Sequence, residues 1–250
     1  MDWTYSFYSQ QEAWLGPAQV FPYDQARAAA VERLAGEGQK RILELGAGSG
    51  GAAVALAERG HEVVAVELVA VHVVNARRLA QAPMLGSVQI VEADFYTYTS
   101  PTRFDVVCYW DGFGIGADAD QRRLLQRIAD HWLTPQGCAL IDVYHPCSQI
   151  LAAGQEHVNP KTGVKRRYDY DPLHGRFIDR WQAEAEPEKV FTQALRCYTP
   201  PDLRLLLEGT GLKLERIEVN QAEVDLAAQE MTFQTPLGKA WSYLAKLVRA

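Results

Sequence analysis

The sequence predicts a doubly wound α/β sheet, and three observations predict it. Five short runs of β-branched and apolar residues recur between residues 41 and 144. Helical stretches or long connections separate them, as parallel βαβ units require. The first run ends in a glycine-rich turn, Gly46-Ala47-Gly48-Ser49-Gly50-Gly51, at the edge where such sheets bind ligands.

The elements follow in order. Residues 1–21 carry Trp3, Tyr5, Phe7, Tyr8, Trp14 and Phe21, too many aromatics to stand in water, so the segment packs on the body or over a ligand. Asp24 is the expected N-cap of an alanine-rich helix reaching Leu34. Strands are expected at Arg41–Leu45, Glu62–Glu67, Val88–Glu92, Phe104–Trp110 and Cys138–Tyr144. Helices are expected at Ala52–Arg59, after the second strand to about Ala80, and at Asp120–Trp132, whose Leu124, Leu125, Ile128 and Ala129 form one apolar stripe. Thr134-Pro135-Gln136-Gly137 reads as a turn. The alternation breaks after Pro146, and residues 147–198 read as inserted antiparallel strands or loops. Thr199-Pro200-Pro201-Asp202 opens a further helix. Leu212–Val219 and Trp241–Val248 are two last strands, joined by a loop or short helix. The whole is expected to be one domain, residues 1–250, with 1–21 as an aromatic lid and 147–198 as an inserted acceptor-site region.

Composition narrows the function. The 250 residues are 48% hydrophobic, enough for one sizeable core. A net charge of -6 disfavours nucleic acid and anionic membrane surfaces, which need a positive field. No apolar run is long enough to span a bilayer, and the N-terminus lacks the pattern of a secretory signal. Cys108, Cys138, Cys147 and Cys197 are scattered, with no zinc spacing, so no metal is expected. Reduced thiols point to the cytoplasm.

The glycine turn fits two spacings. Gly46, Gly48 and Gly51 suit a dinucleotide; Gly46, Gly48 and Gly50 suit a G-x-G-x-G cradle. Glu67, at the end of the second strand, holds ribose hydroxyls in either case. Other acids discriminate. Glu44, two residues before the first glycine, attracts a cationic amino group and repels a pyrophosphate. Asp94 follows the third strand, and Trp110-Asp111-Gly112-Phe113 ends the fourth. Such a cleft suits a ligand with an amino group, a ribose and an adenine but no phosphate.

These residues resemble the class I S-adenosylmethionine-dependent methyltransferases. The matching pieces are Glu44-Leu45-Gly46-Ala47-Gly48-Ser49-Gly50, Glu67, Ala93-Asp94-Phe95, Phe104-Asp105-Val106-Val107 and Leu133-Thr134-Pro135-Gln136-Gly137, in family order across residues 41–145. Gln136 stands where the family often has glycine, and Glu44 where aspartate is about as frequent. The resemblance implies a Rossmann-like, seven-stranded, mostly parallel sheet with an antiparallel last strand. It implies S-adenosylmethionine as cofactor, with Gly46, Ala47, Gly48 and Gly50 at its methionine and ribose part, Glu44 at the amino group and Glu67 at the ribose. Leu68, Asp94 and Phe95 would contact adenine, and Trp110 would border the site.

Candidate bases at strand ends are Asp111, Tyr144 and His145, the last with a neutral imidazole available near pH 7. The insertion and Leu195-Arg196-Cys197-Tyr198-Thr199 resemble small-molecule methyltransferases, including amino-sugar and glycine/sarcosine N-methyltransferases, in which added strands roof the acceptor. By that resemblance Arg196, and less directly Arg167 and Arg180, would bind an anionic group. Tyr168 and Tyr198 would line the site, and Tyr5, Tyr8 and Trp14 would form a lid that excludes water. The expected reaction is methyl transfer to N or O of a small metabolite by a monomer or homodimer. Alternatives are cyclisation of the cofactor's own aminobutyrate chain with release of methylthioadenosine, an NAD-dependent oxidoreductase, and a non-catalytic S-adenosylmethionine-binding protein.

Overall fold

A computed structural model describes residues 2–16, 18–227 and 236–250. Met1 and Pro17 of the aromatic segment, and residues 228–235 of the connection between the two last strands, lie outside the described residues. The central strands follow the sequence: β1 (Arg41–Leu45), β2 (Glu62–Glu67), β3 (Ser87–Glu92), β4 (Phe104–Tyr109) and β5 (Leu133–Tyr144). Two N-terminal helices precede them, α1 (Asp2–Leu15) and α2 (Pro22–Ala35). Three helices lie between them, α3 (Gly51–Glu58), α4 (Ala70–Leu79) and α5 (Asp118–Arg127), the last continued by a π-helical turn at Ile128–Trp132. After β5 come α6 (Pro146–Ala152) and four strands, β6 (Glu156–Val158), β7 (Val164–Asp171), β8 (Arg176–Ala183) and β9 (Val190–Arg196). The chain ends with α7 (Pro200–Leu207), β10 (Leu212–Val219), β11 (Ala222–Val224) and β12 (Ser242–Arg249).

The main sheet has the order β11-β10-β12-β5-β4-β1-β2-β3. β1 to β5 pair in parallel, and β12 lies antiparallel between β5 and β10, as expected for the last strand. Among the described residues the sheet has eight strands rather than seven. The extra one, β11, folds back on β10 through Asn220 and Gln221, whose φ values of 50° and 69° make a tight two-residue hairpin.

Side-chain alternation builds a core on each face. Leu43, Leu45, Val107, Ile141 and Val143 face α5 and α7 through Leu124, Leu125, Leu203 and Leu206. Ile42, Val63, Val106, Cys108 and Leu140 face α2 and α3 through Ala28, Val31, Ala52 and Leu56. Glu44 shares the parity of Ile42 and so points into the α2 face.

Two local expectations shift. Pro22 takes the first position of α2, so Phe21 is the N-cap, and Asp24 sits inside the first turn, accepting the Phe21 N–H at 2.9 Å. The segment read as a turn at 134–137 is a bulge within β5. Phe104 pairs with Leu133 and Val106 with Cys138, so residues 134–137 bow out of the ladder.

The insertion is an antiparallel sheet in the order β6-β7-β8-β9. Its register stacks Arg166, Trp181 and Phe191 in one row and Tyr168, Asp179 and Gln193 in the next, all on one face. Helix α1 packs on that face. Phe7 meets Trp181 edge-on at 5.9 Å, Trp14 lies parallel to Trp181 at 6.3 Å, and Trp14 meets Phe191 at 5.5 Å. Asp179 is fully buried beneath them. It accepts from Arg166 Nη2 at 2.6 Å, Trp181 Nε1 at 2.7 Å and Gln193 Nε2 at 3.1 Å. Removing one carboxylate strands three donors, one of them charged. Asp179→Ala is expected to cost about 3 kcal/mol in denaturant unfolding, with Asp179→Asn costing less.

Candidate active site

The glycine turn joins β1 to α3. Gly46, Gly48 and Gly50 have φ of 60°, 54° and 81°, which L side chains rarely adopt. A Cβ on Gly50 would stand 2.8 Å from the Ala76 Cβ of α4, so this glycine also lets two helices approach. Glu67 ends β2 and braces the turn. One oxygen accepts the Gly48 N–H at 2.8 Å, and the other accepts the Val69 N–H at 2.7 Å. Each oxygen keeps a second lone pair, so ribose hydroxyls can still donate to it. Leu68 beside it is 45% exposed, an apolar platform open to a base.

Glu44 is 2% exposed, and its Oε2 has no hydrogen-bond partner among the described residues. Burial pushes its carboxyl up to about 8; Arg27 opposes this, while Asp24 and Glu67 add to it. A buried acceptor with a vacant lone pair beside a bare glycine turn fits the ammonium of S-adenosylmethionine. Arg27, on α2, stands 3.5 Å from Asp24 and 3.6 Å from Asp142, over the Tyr23 and Trp110 rings. Burial works against its charge, yet Asp142, Asp111, Asp24 and Glu44 hold it protonated. Trp110 is buried on the α2 face, a packing neighbour of Arg27.

The opposite side of the turn is aromatic. The Phe95 and Tyr109 rings are 5.4 Å apart, and a Cβ on Gly46 would meet Tyr109 at 3.3 Å. Asp94 caps its own turn through Oδ1, which accepts the Tyr96 N–H at 2.8 Å.

Beyond the turn, the Tyr144 hydroxyl donates to Asp111 Oδ1. Asp111 is a non-glycine residue at φ 55°, a left-handed geometry that places it directly after β4. Burial, then the Asp111 carboxylate, raises the Tyr144 phenol well above its ordinary range. The Tyr144 ring lies near parallel to Phe177 of the inserted sheet at 5.7 Å, and Tyr168 adjoins Phe177 at 5.5 Å. Tyr8 of α1 closes this space. Its phenol is pushed up by burial and then by Asp111, Glu67 and Asp179, which together surround it.

Several expected site residues sit elsewhere. His145 follows Tyr144 and so takes the opposite face of β5. It is buried 6.2 Å from the Tyr243 ring, burial lowers its pKa, and the charge acting on it is Asp202 of α7. It is set apart from the acids of the cleft. Arg196 pairs with Asp118 at 3.2 Å and lies over Tyr198, whose hydroxyl also donates to Asp118 at 2.7 Å. Both are bound into the joint between the insertion and α5. Arg167 and Arg180 pair with Glu156 and Asp169 on the outer face of the inserted sheet. Tyr5 is exposed on the solvent side of α1, and Trp14 serves its docking on the sheet.

Arg27, Asp142, Asp179 and His72 were not singled out in the sequence. Asp142 carried a faint signal, an acid within a strand otherwise fully apolar. Arg27 carried none, because its role depends on how α2 crosses the strand ends.

Residues 42–137 match the family model described as a methyltransferase domain. Over 119 residues the chain is 34% identical to the cypemycin N-terminal methyltransferase of a Streptomyces species, a match spanning 46% of this chain and 46% of that protein. The CcbJ methyltransferase from Streptomyces caelestis superposes with a TM-score of 0.76 at 22% identity, covering 100% of this chain and 97% of that one. An amino pentose methyltransferase from Micromonospora echinaspora, involved in calicheamicin biosynthesis, gives 0.63 at 18% identity, covering 97% and 96%. The glycopeptide N-methyltransferase MtfA gives 0.61 at 21% identity, covering 91% and 90%. The last two are solved with S-adenosylmethionine bound. The matched stretch, residues 42–137, contains the glycine turn, Glu67 and Asp94, and the solved structures share the fold around it. Among the described residues, no helix is long and apolar enough to cross a membrane.

Glu44 sets a pH signature. Its folded pKa lies above its unfolded value, so its contribution to stability is full below about pH 4.5 and is lost as pH rises through about 8. An ammonium ligand favours the ionised form. Binding of S-adenosylhomocysteine at pH 7 is therefore expected to release close to one proton, read as the buffer dependence of the calorimetric enthalpy, and Glu44→Gln should abolish that release.

Proposed function

We propose that this protein transfers the methyl group of S-adenosylmethionine to an amine nitrogen of a small metabolite or short peptide. The observation that carries the reading is the Tyr144–Asp111 pair, held between the glycine turn and the aromatic face of the inserted sheet. When bound, the cofactor supplies an electrophilic methyl on a sulfonium, and transfer leaves S-adenosylhomocysteine. Glu44 and the glycine turn hold the amino end and Glu67 the ribose. Asp111 attracts an acceptor ammonium, takes up its proton and orients the nitrogen lone pair. Tyr144 stays protonated and fixes one Asp111 oxygen by donating to it, leaving the other for the acceptor. Tyr8, Tyr168 and Phe177 wall the space and keep water out.

Asp111 now takes the base role considered for His145, which lies on the other face of β5. The carboxylate is a better match to an amine than to an unactivated alcohol, because it stabilises the acceptor's ammonium form while binding. Relatives named for N-methylation of a glycopeptide and of a peptide N-terminus support an amine acceptor, and the amino pentose relative supports a small one. The aromatic helix α1 acts as the lid and residues 147–198 as the acceptor-site roof of one methyltransferase unit. The free thiols, three of them buried, favour a reducing, cytoplasmic setting.

The test is incubation with methyl-labelled cofactor and a panel of amino sugars, amino acids and peptides, read by mass spectrometry. S-adenosylhomocysteine and an N-methylated product are expected; methylthioadenosine without an acceptor product points instead to cyclisation of the cofactor chain. Asp111→Asn is expected to lower kcat about 100-fold, with Tyr144→Phe falling between it and wild type. Cofactor affinity in calorimetry should stay near wild type for both variants.

A further inference from the structure

One buried polar atom at the cofactor cradle has no role in the scheme above. His72 sits in the first turns of α4, more than nine-tenths buried. Its Nε2 lies 3.0 Å from the Tyr8 carbonyl oxygen of α1. A carbonyl accepts and cannot donate, so Nε2 carries the proton. In the neutral ring Nδ1 then presents a bare lone pair. Nδ1 is buried, has no hydrogen-bond partner among the described residues, and stands 3.4 Å from where a Cβ on Gly48 would be. Glu67 grips the Gly48 N–H from its own side. Nδ1 therefore looks into the bare space over the middle glycine of the turn, next to the carboxylate that receives ribose hydroxyls. A buried acceptor left open there is costly until a donor arrives.

The other nitrogen leads to the lid. Helix α4 holds α1 at two adjacent points. His72 bonds the Tyr8 carbonyl, with Glu12 Oε2 3.8 Å from Nε2, and Asn75 donates to Glu12. One imidazole thus touches the cradle on one side and the lid backbone on the other.

We propose that His72 is a cofactor-binding residue that also seats the lid: Nδ1 accepts a hydrogen bond from a hydroxyl of bound S-adenosylmethionine while Nε2–H holds the Tyr8 carbonyl of α1. It rests on the methyltransferase reading. Bound cofactor fixes the ring, and the fixed ring fixes α1, so occupancy of the cradle and closure over the acceptor space are linked.

The experiment pairs calorimetry of S-adenosylhomocysteine with amide hydrogen exchange across residues 5–15, on wild type and three variants. In wild type, ligand is expected to slow exchange in α1. His72→Phe keeps the ring volume and loses both nitrogens, so affinity should fall about tenfold and α1 should no longer respond to ligand. His72→Asn places an amide near Nδ1 and His72→Gln near Nε2. The first should keep most of the affinity with a looser α1; the second should keep α1 seated with weakened binding. His72→Phe binding as tightly as wild type, or the Asn and Gln variants behaving alike in both readouts, overturns the proposal. A wild-type protein that binds no S-adenosylhomocysteine overturns the cofactor reading itself, an outcome separate from the other two.

Discussion

The site depends on a buried carboxyl with one oxygen left unpartnered. Glu44 is placed by parity: β1 buries every residue from Ile42 to Leu45, and the third of them is an acid. The glycine turn begins one residue beyond Leu45, so the strand delivers a buried carboxyl to the cradle, one that ionises when a cation arrives. Its raised pKa is the sign of that constraint; Arg27 limits the cost of ionising it, while Asp24 and Glu67 add to that cost. Such an arrangement destabilises the empty protein and favours a cationic ligand.

The second half of the site is organised around another buried acid, with the opposite logic. Asp179 is saturated by three side-chain donors, and its task is to fix the face of the inserted sheet on which α1 lies. The sheet in turn holds Phe177 against Tyr144, whose hydroxyl orients Asp111. A chain of contacts thus runs from the roof to the proposed base. The matched family stretch, residues 42–137, ends before the insertion begins.

The donor side was legible because its signals are local. Strand boundaries, the glycine spacing and the acids at strand ends need nothing beyond periodicity and chain order. The acceptor side was legible in composition and misread in detail. Tyr144 and His145 look equivalent in sequence, yet strand alternation sends one to the cleft and the other towards α7. Arg196 and Tyr198 read as ligand groups, yet both are spent on Asp118, a partner far away in the chain. Arg27 and His72 act through helix packing across more than 40 residues, which no single-sequence pattern encodes. Asp94 follows the third strand as expected, with Oδ1 accepting the Tyr96 N–H of its own turn.

On this account the unpartnered Oε2 of Glu44 receives the cofactor's amino group. A crystal structure with S-adenosylhomocysteine tests it most directly. The account predicts the amino nitrogen within about 3 Å of Glu44 Oε2, with the ribose hydroxyls on Glu67. An amino group held elsewhere, with Glu44 still unpaired, would contradict it.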